Sequence, residues 1–408
     1  MAASGGSCGG EKNSMRPDLV PWPDLQPEML GVVLSRLPSH ADRVRLAAVC
    51  RPWRSSARLL RPLPTLLPWL ALCDGTFLSL PDGAVHRLPV ADDASSRVST
   101  GSALFLVHGD NKCCLMNPSP VMTTPVPEAG DWFRENPTVR KVLMSDHLVA
   151  ALVDSKKLSI NSSTTTKVII SIRGQPWDTT SCSTTEWTAP EDSFVSDIAL
   201  FKGKLYVLLD TQDEEYGQQH ELRVLDDGRE QTAIPGTRFH GHESFNAYAT
   251  DMYVQRNYLV VSGDRLLMVE RRIYQPPMFP VDSGIEKRTR LFKVFAATEL
   301  SSGCGLWTEV DTLMGRALFV SEGCSQSLSA GDQSSGVGAR EDCIYFVNED
   351  HTDTDISESE EEICENPFLD SGVYNMADQT VTPLPSKAVA APAAGDGPWS
   401  PTWLFLET

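Results

Sequence analysis

The chain has 408 residues, 41% hydrophobic and 22% charged, which suits one small and one large soluble domain with a sizeable core. Its net charge of −19 argues against a nucleic-acid partner, because such binding draws on basic side chains that displace counterions. No apolar run approaches the ~20 residues that cross a bilayer, and the first twenty residues hold no block of signal-peptide length, so neither a membrane span nor secretion is expected.

Residues 1–17 are small and polar and are expected to form a disordered tail. Residues 18–61 read as a helical domain. Apolar positions 30, 33, 34 and 37 form an i, i+3, i+4, i+7 stripe. Asp24 is a candidate cap for that helix, Pro27 suits its first turn and Pro38 ends it. Ser39 and Asp42 then have capping-box spacing, and the second helix is expected to turn Val44, Ala47, Ala48 and Val49 inward. Pro52 opens a third helix, with Trp53 and Ala57 one turn apart. From Trp22 to Arg61 seven arginines face three acids, a basic head on an acidic chain, which suits an acidic partner. Three short helices in about forty residues bury too little surface to be very stable alone. Such a unit completes its core against something else and reads as an interaction module.

These residues carry a resemblance. Leu25-x-Pro27-Glu28-x-Leu30, Leu37-Pro38, Asp42-Arg43, Arg45 and Val49-Cys50-Arg51-Pro52-Trp53-Arg54 look like an F-box, with Leu25-Gln26 where that family usually opens on Leu-Pro. The resemblance implies docking of a small acidic Skp-type adaptor, and through it of cullin and RING subunits of a ubiquitin ligase. The adaptor contacts it implies are Leu25, Pro27, Glu28, Leu30, Leu34, Leu37, Val49, Cys50 and Trp53, aliphatic anchors with a basic rim.

From residue 62 the texture changes. Pro62, Pro64 and Pro68 make a stiff connection, after which short apolar runs alternate with turn signals. Hairpins are predicted at Asp74-Gly75, Asp82-Gly83, Gly109-Asp110, Asp146-His147, Lys202-Gly203, Gly263-Asp264 and Glu322-Gly323. Gly203, Gly263 and Gly323 recur at sixty-residue spacing, with insertions expected at Gln212–His220 and Gln275–Lys287. Units of about fifty residues and four strands suggest kelch-like propeller blades. A two-sheet sandwich of this length would be unusually large. The expectation for 62–408 is therefore a β-propeller of about five or six blades. The strand near Trp403–Leu406 would close the ring against Trp69–Leu72 and remove the exposed sheet edges. Residues 349–365 hold nine acids and no Lys or Arg, and are expected to form an acidic, disordered loop.

Pro68-Trp69-Leu70, Gly75-Thr76-Phe77, Asn117-Pro118, Asp197-Ile198, Lys202 to Tyr206, Tyr258 to Val261, Leu266 to Val269, Trp307 to Val310, Ala317 to Phe319 and Cys343 to Phe346 carry a second resemblance. It is to one plant F-box family whose C-terminal domain resembles kelch repeats and was catalogued as a domain of unknown function. The fold implied is a small all-α F-box of three short helices followed by an all-β, kelch-like β-propeller. The function implied is that of a substrate receptor in an SCF-type ubiquitin ligase, without catalysis of its own, in nucleus or cytoplasm, the protein substrate being unnamed by the sequence.

Motifs of chemistry are sparse. There is no P-loop, G-x-S-x-G elbow or H-E-x-x-H sequence. His240 and His242 suit a polar loop better than a metal site, since no further ligands are identifiable. The ten cysteines include no C-x-x-C pair and read as reduced, mostly buried thiols. No cofactor or metal is expected. The competing readings are a regulatory binding protein with a vestigial F-box, for which Gln26 speaks, and a propeller enzyme with a helical head.

Overall fold

The computed structural model describes residues 22, 25–37, 39–59, 66–80, 82–89, 94–118, 121–126, 129, 132–133, 137–156, 164–172, 183–190, 193–213, 217–226, 229–237, 252–275, 288–300, 304–330, 338–349, 368, 370–384 and 399–406. Asp24, the expected loops at His240–His242 and Gln275–Lys287 (apart from Gln275) and the acidic run from Asp350 to Glu365 lie outside them. The chain divides into two compact units, one helical and one strand-rich from residue 64 onward, with residues 38–40 counted with the latter.

Three short helices form the first unit: α1 (Pro27–Arg36), α2 (His40–Ala48) and α3 (Arg51–Leu59). Proline stands in the first turn of α1, where its missing N–H costs no helical bond. Gln26 precedes the helix without a side-chain cap. Leu30 and Leu34, one turn apart, are its buried residues, and α1 packs on α3. The second helix departs from expectation. Val44, Ala48 and Val49 are exposed and Ala47 is only half-buried, because a nine-residue helix beside two equally short ones has no second layer to cover that face.

The strand-rich unit is a six-bladed β-propeller, with sheets following one another in chain order. The first sheet holds β1 (Trp69–Ala71), β2 (Thr76–Ser79) and β3 (Val85–Arg87). The second holds β4 (Ala94–Ser99), β5 (Leu104–His108), β6 (Cys113–Pro118) and β7 (Val121–Pro125). The third holds β8 (Thr138–Met144), β9 (Leu148–Lys156), β10 (Thr164–Ile172) and β11 (Ser183–Thr188). In the fourth are β12 (Ser193–Phe201), β13 (Lys204–Asp213), β14 (Gly217–Asp226) and β15 (Arg229–Thr237). The fifth contains β16 (Met252–Ser262), β17 (Arg265–Gln275), β18 (Arg288–Thr298) and β19 (Leu306–Val310). The sixth has β20 (Arg316–Val320), β21 (Gln326–Ser329), β22 (Cys343–Phe346), β23 (Gly372–Asn375) and β24 (Thr380–Thr382). A last strand, β25 (Thr402–Leu404), joins the first sheet and pairs antiparallel with β1, Leu70 opposite Trp403. The C-terminal strand thereby completes the N-terminal blade.

Six apolar clusters fill the six junctions between neighbouring sheets, including the one between sheets six and one. Alternation along single strands produces them. On β5, Leu104 and Leu106 pack toward the first sheet while Phe105 and Val107 pack toward the third. On β9, Ala150 and Leu152 face the fourth sheet while Val149, Ala151 and Val153 face the second. A strand covered on both faces needs apolar residues at every position, so these strands read as continuous runs rather than polar-apolar alternation.

Two expectations fail in detail. Gln212–His220 is a hairpin rather than an insertion, for β13 and β14 pair as far as Asp213 opposite Gly217. The sixth sheet has five strands rather than four, and β20 runs parallel to β22 because β21 folds back onto the opposite side of β20. The sixty-residue glycine period is real in position: the three glycines lie in the first hairpin turns of sheets four, five and six. Lys202 and Gly203 both have positive φ, the geometry of a tight two-residue turn, and Gly263 also has φ +63°. Gly323 does not adopt that conformation; a Cβ there would stand 3.1 Å from Thr402 Oγ1, so close packing against β25 is what its size serves. No helix among the described residues is long and apolar enough to cross a membrane.

Candidate functional sites

The residues implicated in adaptor docking separate into two sets. Leu30 and Leu34 are buried within the helical unit, and Leu25, Leu37, Cys50 and Trp53 are half-buried. Pro27 and Glu28 are exposed, and Val49 is 64% exposed. Trp53 donates its indole N–H to Trp22 O at 2.9 Å and meets the Trp22 ring edge-on at 6.4 Å, which ties α3 to the segment before α1. Arg54 donates to Ala47 O and Arg43 to Leu37 O, so both arginines fasten helix ends. Arg43 is buried rather than part of a basic rim, and burial lowers its pKa. Arg36, Arg45, Arg51, Arg54 and Arg58 remain exposed.

Sequence reasoning overlooked Met29 and Val32. Both are exposed, as is Val33, and the three lie at i, i+3 and i+4 on the face of α1 away from Leu30 and Leu34. The signal was present in Met29-Leu30-Gly31-Val32-Val33-Leu34, an apolar stretch too wide for a one-sided helix.

The propeller has a polar centre made by its inner strands. β4, β8 and β12 each carry a register shift early in the strand, at Ala94/Ser96, Val139/Lys141 and Val195/Asp197. Bulges of this kind re-aim side chains. Arg140, the bulged residue of β8, donates to Glu322 Oε1 at 2.6 Å and to the carbonyls of Val195 and Ser196. Beside it, Lys141 is buried and donates to Asp197 Oδ1 at 2.7 Å. Asp197 also accepts from the backbone N–H groups of Ile198 and Leu259, joining three sheets at one carboxylate.

Glu349, counted in sequence with the acidic loop, is an interior residue. Its carboxylate accepts from Glu322 N at 2.7 Å, Tyr258 Oη at 2.8 Å and Arg256 Nη1 at 3.3 Å. Burial holds it above the ordinary carboxylate range, against the pull of Arg256 and Arg271. Arg271 is buried and donates to Val347 O, Thr289 Oγ1 and the Asp370 carboxylate. Val347 and Asp370, described residues on either side of the acidic run, are thus bound to a single guanidinium.

Between sheets four and five, His220 Nδ1 stands 2.6 Å from Asp210 Oδ1, while Asn257 Nδ2 and Ser196 Oγ donate to Asp210 Oδ2. Burial pushes the Cys113 thiol up to about 12 and the Cys324 thiol to about 11, leaving both protonated at neutral pH. No disulfide joins the described cysteines. Among the described residues no group of three or more His, Cys, Asp or Glu is arranged to hold a metal ion.

Comparison with known proteins places this architecture. Among solved structures, the chain is similar to an ACO/RPE65 chimera (10% identity, 76% of this chain and 73% of that one, TM-score 0.32). It is similar also to an acylaminoacyl peptidase of Pyrococcus horikoshii (10% identity, 73% and 46%, TM-score 0.34) and to the N-terminal domain of Nup159 (10% identity, 74% and 73%, TM-score 0.27). Likenesses this distant carry no argument about function. No curated protein matches the chain. Residues 77–375, from β2 to β23, match the family described as the KIB1-4 beta-propeller. The chain belongs to the KIB1-4 beta-propeller family.

Proposed function

We propose that this protein is the substrate-receptor subunit of a cullin–RING ubiquitin ligase of the SCF type, acting in nucleus or cytoplasm. The helical unit is an F-box that docks a Skp-type adaptor, and the propeller binds the protein to be ubiquitinated. The chain is not itself an enzyme in this reading. It acts by proximity, raising the effective concentration of substrate near a charged ubiquitin-conjugating enzyme.

One observation carries the proposal. Helix α1 is apolar on two faces: Leu30 and Leu34 are used inside the unit, while Met29, Val32 and Val33 are exposed. A helix apolar all round is a buried helix, so its second face calls for helices of another protein. Exposed Arg45, Arg51, Arg54 and Arg58 supply a rim complementary to an acidic adaptor.

Leu30 and Leu34 cannot test docking, because charging them breaks the unit itself. Val33→Asp and Val49→Asp are the informative changes, since both positions are exposed. Each is expected to keep the far-UV circular dichroism of the wild type and to lose adaptor in a pull-down. Undiminished capture by the doubly substituted chain would remove this face from the adaptor contact. Gln26, exposed where F-boxes carry proline, favours a second reading, a regulator with weakened adaptor contact. In that case Gln26→Pro raises adaptor affinity at least tenfold; in the first reading it changes little.

A further inference from the structure

Among the described residues of the propeller, three lysine or arginine side chains are buried: Arg97, Lys141 and Arg271. Lys141 has Asp197 at 2.7 Å and Arg271 has Asp370 at 3.0 Å. Arg97, on the inner strand β4, is 4% exposed and forms no ion pair with any described residue. Its Nη2 donates to Leu72 O at 2.5 Å, while Nε and Nη1 meet no acceptor. The guanidinium lies over two rings, Trp399 at 4.5 Å and Phe77 at 5.1 Å. Trp399 Nε1 is likewise buried without an acceptor. Asp74, on the same turn as Leu72, acts on Arg97 through space, but its Oδ1 is engaged by Thr76 N and Oγ1. Burial brings the Arg97 pKa down to about 10, so the group stays charged at neutral pH.

A buried guanidinium is tolerated when it is paired and its donors are met. The rings supply attraction to the faces of the ion but nothing to the N–H groups in its plane. What is missing is an acceptor with negative charge, and the planar fork of arginine matches carboxylate and phosphate oxygens. The site lies one side chain below the surface. Trp399 is half-buried and seated on the Gly75 backbone, where an added Cβ would be 2.6 Å from the Trp399 ring, and Asp74 beside it is exposed.

We propose that Arg97, Trp399 and the β1–β2 turn form an anion site that takes a small oxyanion, a phosphate or a carboxylate, with Trp399 as its cover. The site is independent of the helical unit and of any role in ubiquitin ligation.

The test is thermal unfolding of the full chain at matched ionic strength, with chloride replaced stepwise by inorganic phosphate in one arm and by acetate in the other. The wild type is expected to gain a saturable rise in Tm of about 2–4 °C in at least one arm, and the responding arm identifies the oxyanion. Arg97→Met abolishes the rise, and Trp399→Phe, which keeps the ring and removes its donor, weakens it. An equal rise in wild type and Arg97→Met, or no saturable rise in either arm, overturns the site. So does a high-resolution structure grown in phosphate or acetate that shows only ordered water at Nε and Nη1. Should Arg97→Met fail to fold, titration calorimetry on the wild type decides: saturation at one anion per chain supports the site, and absence of saturable heat overturns it.

Discussion

Arg271 donates to Val347 O, Thr289 Oγ1 and Asp370 Oδ2 from a position 1% exposed. Truncating one member of such a network strands the others, and removal of one partner of a buried ion pair costs about 3–5 kcal/mol. Arg271→Met is expected to lower stability by that amount in urea unfolding, and adding Asp370→Asn to the same chain should recover part of it. A loss under about 1 kcal/mol would mean that the network contributes no more than a surface pair. Glu349 gives a pH signature. Its carboxyl is raised by burial, so the native state holds this proton where the unfolded chain has released it. Its contribution is present in full below the ordinary glutamate pKa and is lost as pH rises through the raised native value. The stability of Glu349→Gln relative to wild type should therefore improve from about pH 4 upward and level off above the native pKa; urea midpoints across that range read it, and a difference constant with pH would contradict it.

The elements differ in how much they can lose. Leu34 is buried in a helical unit whose core is small, so Leu34→Ala is expected to cost that unit about 2–5 kcal/mol and to melt it before the propeller. Helical ellipticity at 222 nm, followed separately from tryptophan fluorescence, should show the earlier transition; one coincident transition at the wild-type midpoint would show that Leu34 bears no such load. Much of this level was readable from residue order. Each expected hairpin from Asp74-Gly75 to Glu322-Gly323 is found; at Asp74-Gly75, Asp82-Gly83 and Lys202-Gly203 the glycine takes a positive φ, and such a pair between apolar runs has few other ways to fold. Gln212–His220 was misread because polar residues on paired strands look the same in sequence as a loop. The α1 stripe was recognised, yet periodicity alone could not say which of its two apolar faces turned inward.

At the scale of the molecule, the ring is held shut by β25. Trp403 is fully buried, its indole N–H donates to Val320 O at 3.0 Å, and its ring meets Phe319 edge-on. It therefore joins the first sheet, where its strand pairs, to the sixth, where its side chain packs. Trp403→Ala removes both contacts and is expected to cost about 3–5 kcal/mol. Because the damage opens sheet edges, it should also promote association in gel filtration near the unfolding midpoint; a variant that stays monomeric and loses under about 1 kcal/mol would show that closure does not depend on this residue.

The sequence alone settled the order of a short helical unit and a long strand-rich one, the places of most turns, and the pairing of the last strand with the first. Those follow from local chemistry: proline and glycine geometry, hairpin turns, and strands apolar on both faces. Only the tertiary structure decided that the blades number six, that the sixth has a parallel pair, that Glu349 lies inside, and that Arg97 forms no ion pair among the described residues. Each of these depends on residues far apart in the chain meeting across sheet junctions, and no local pattern records which distant carboxylate will, or will not, stand opposite a buried cation.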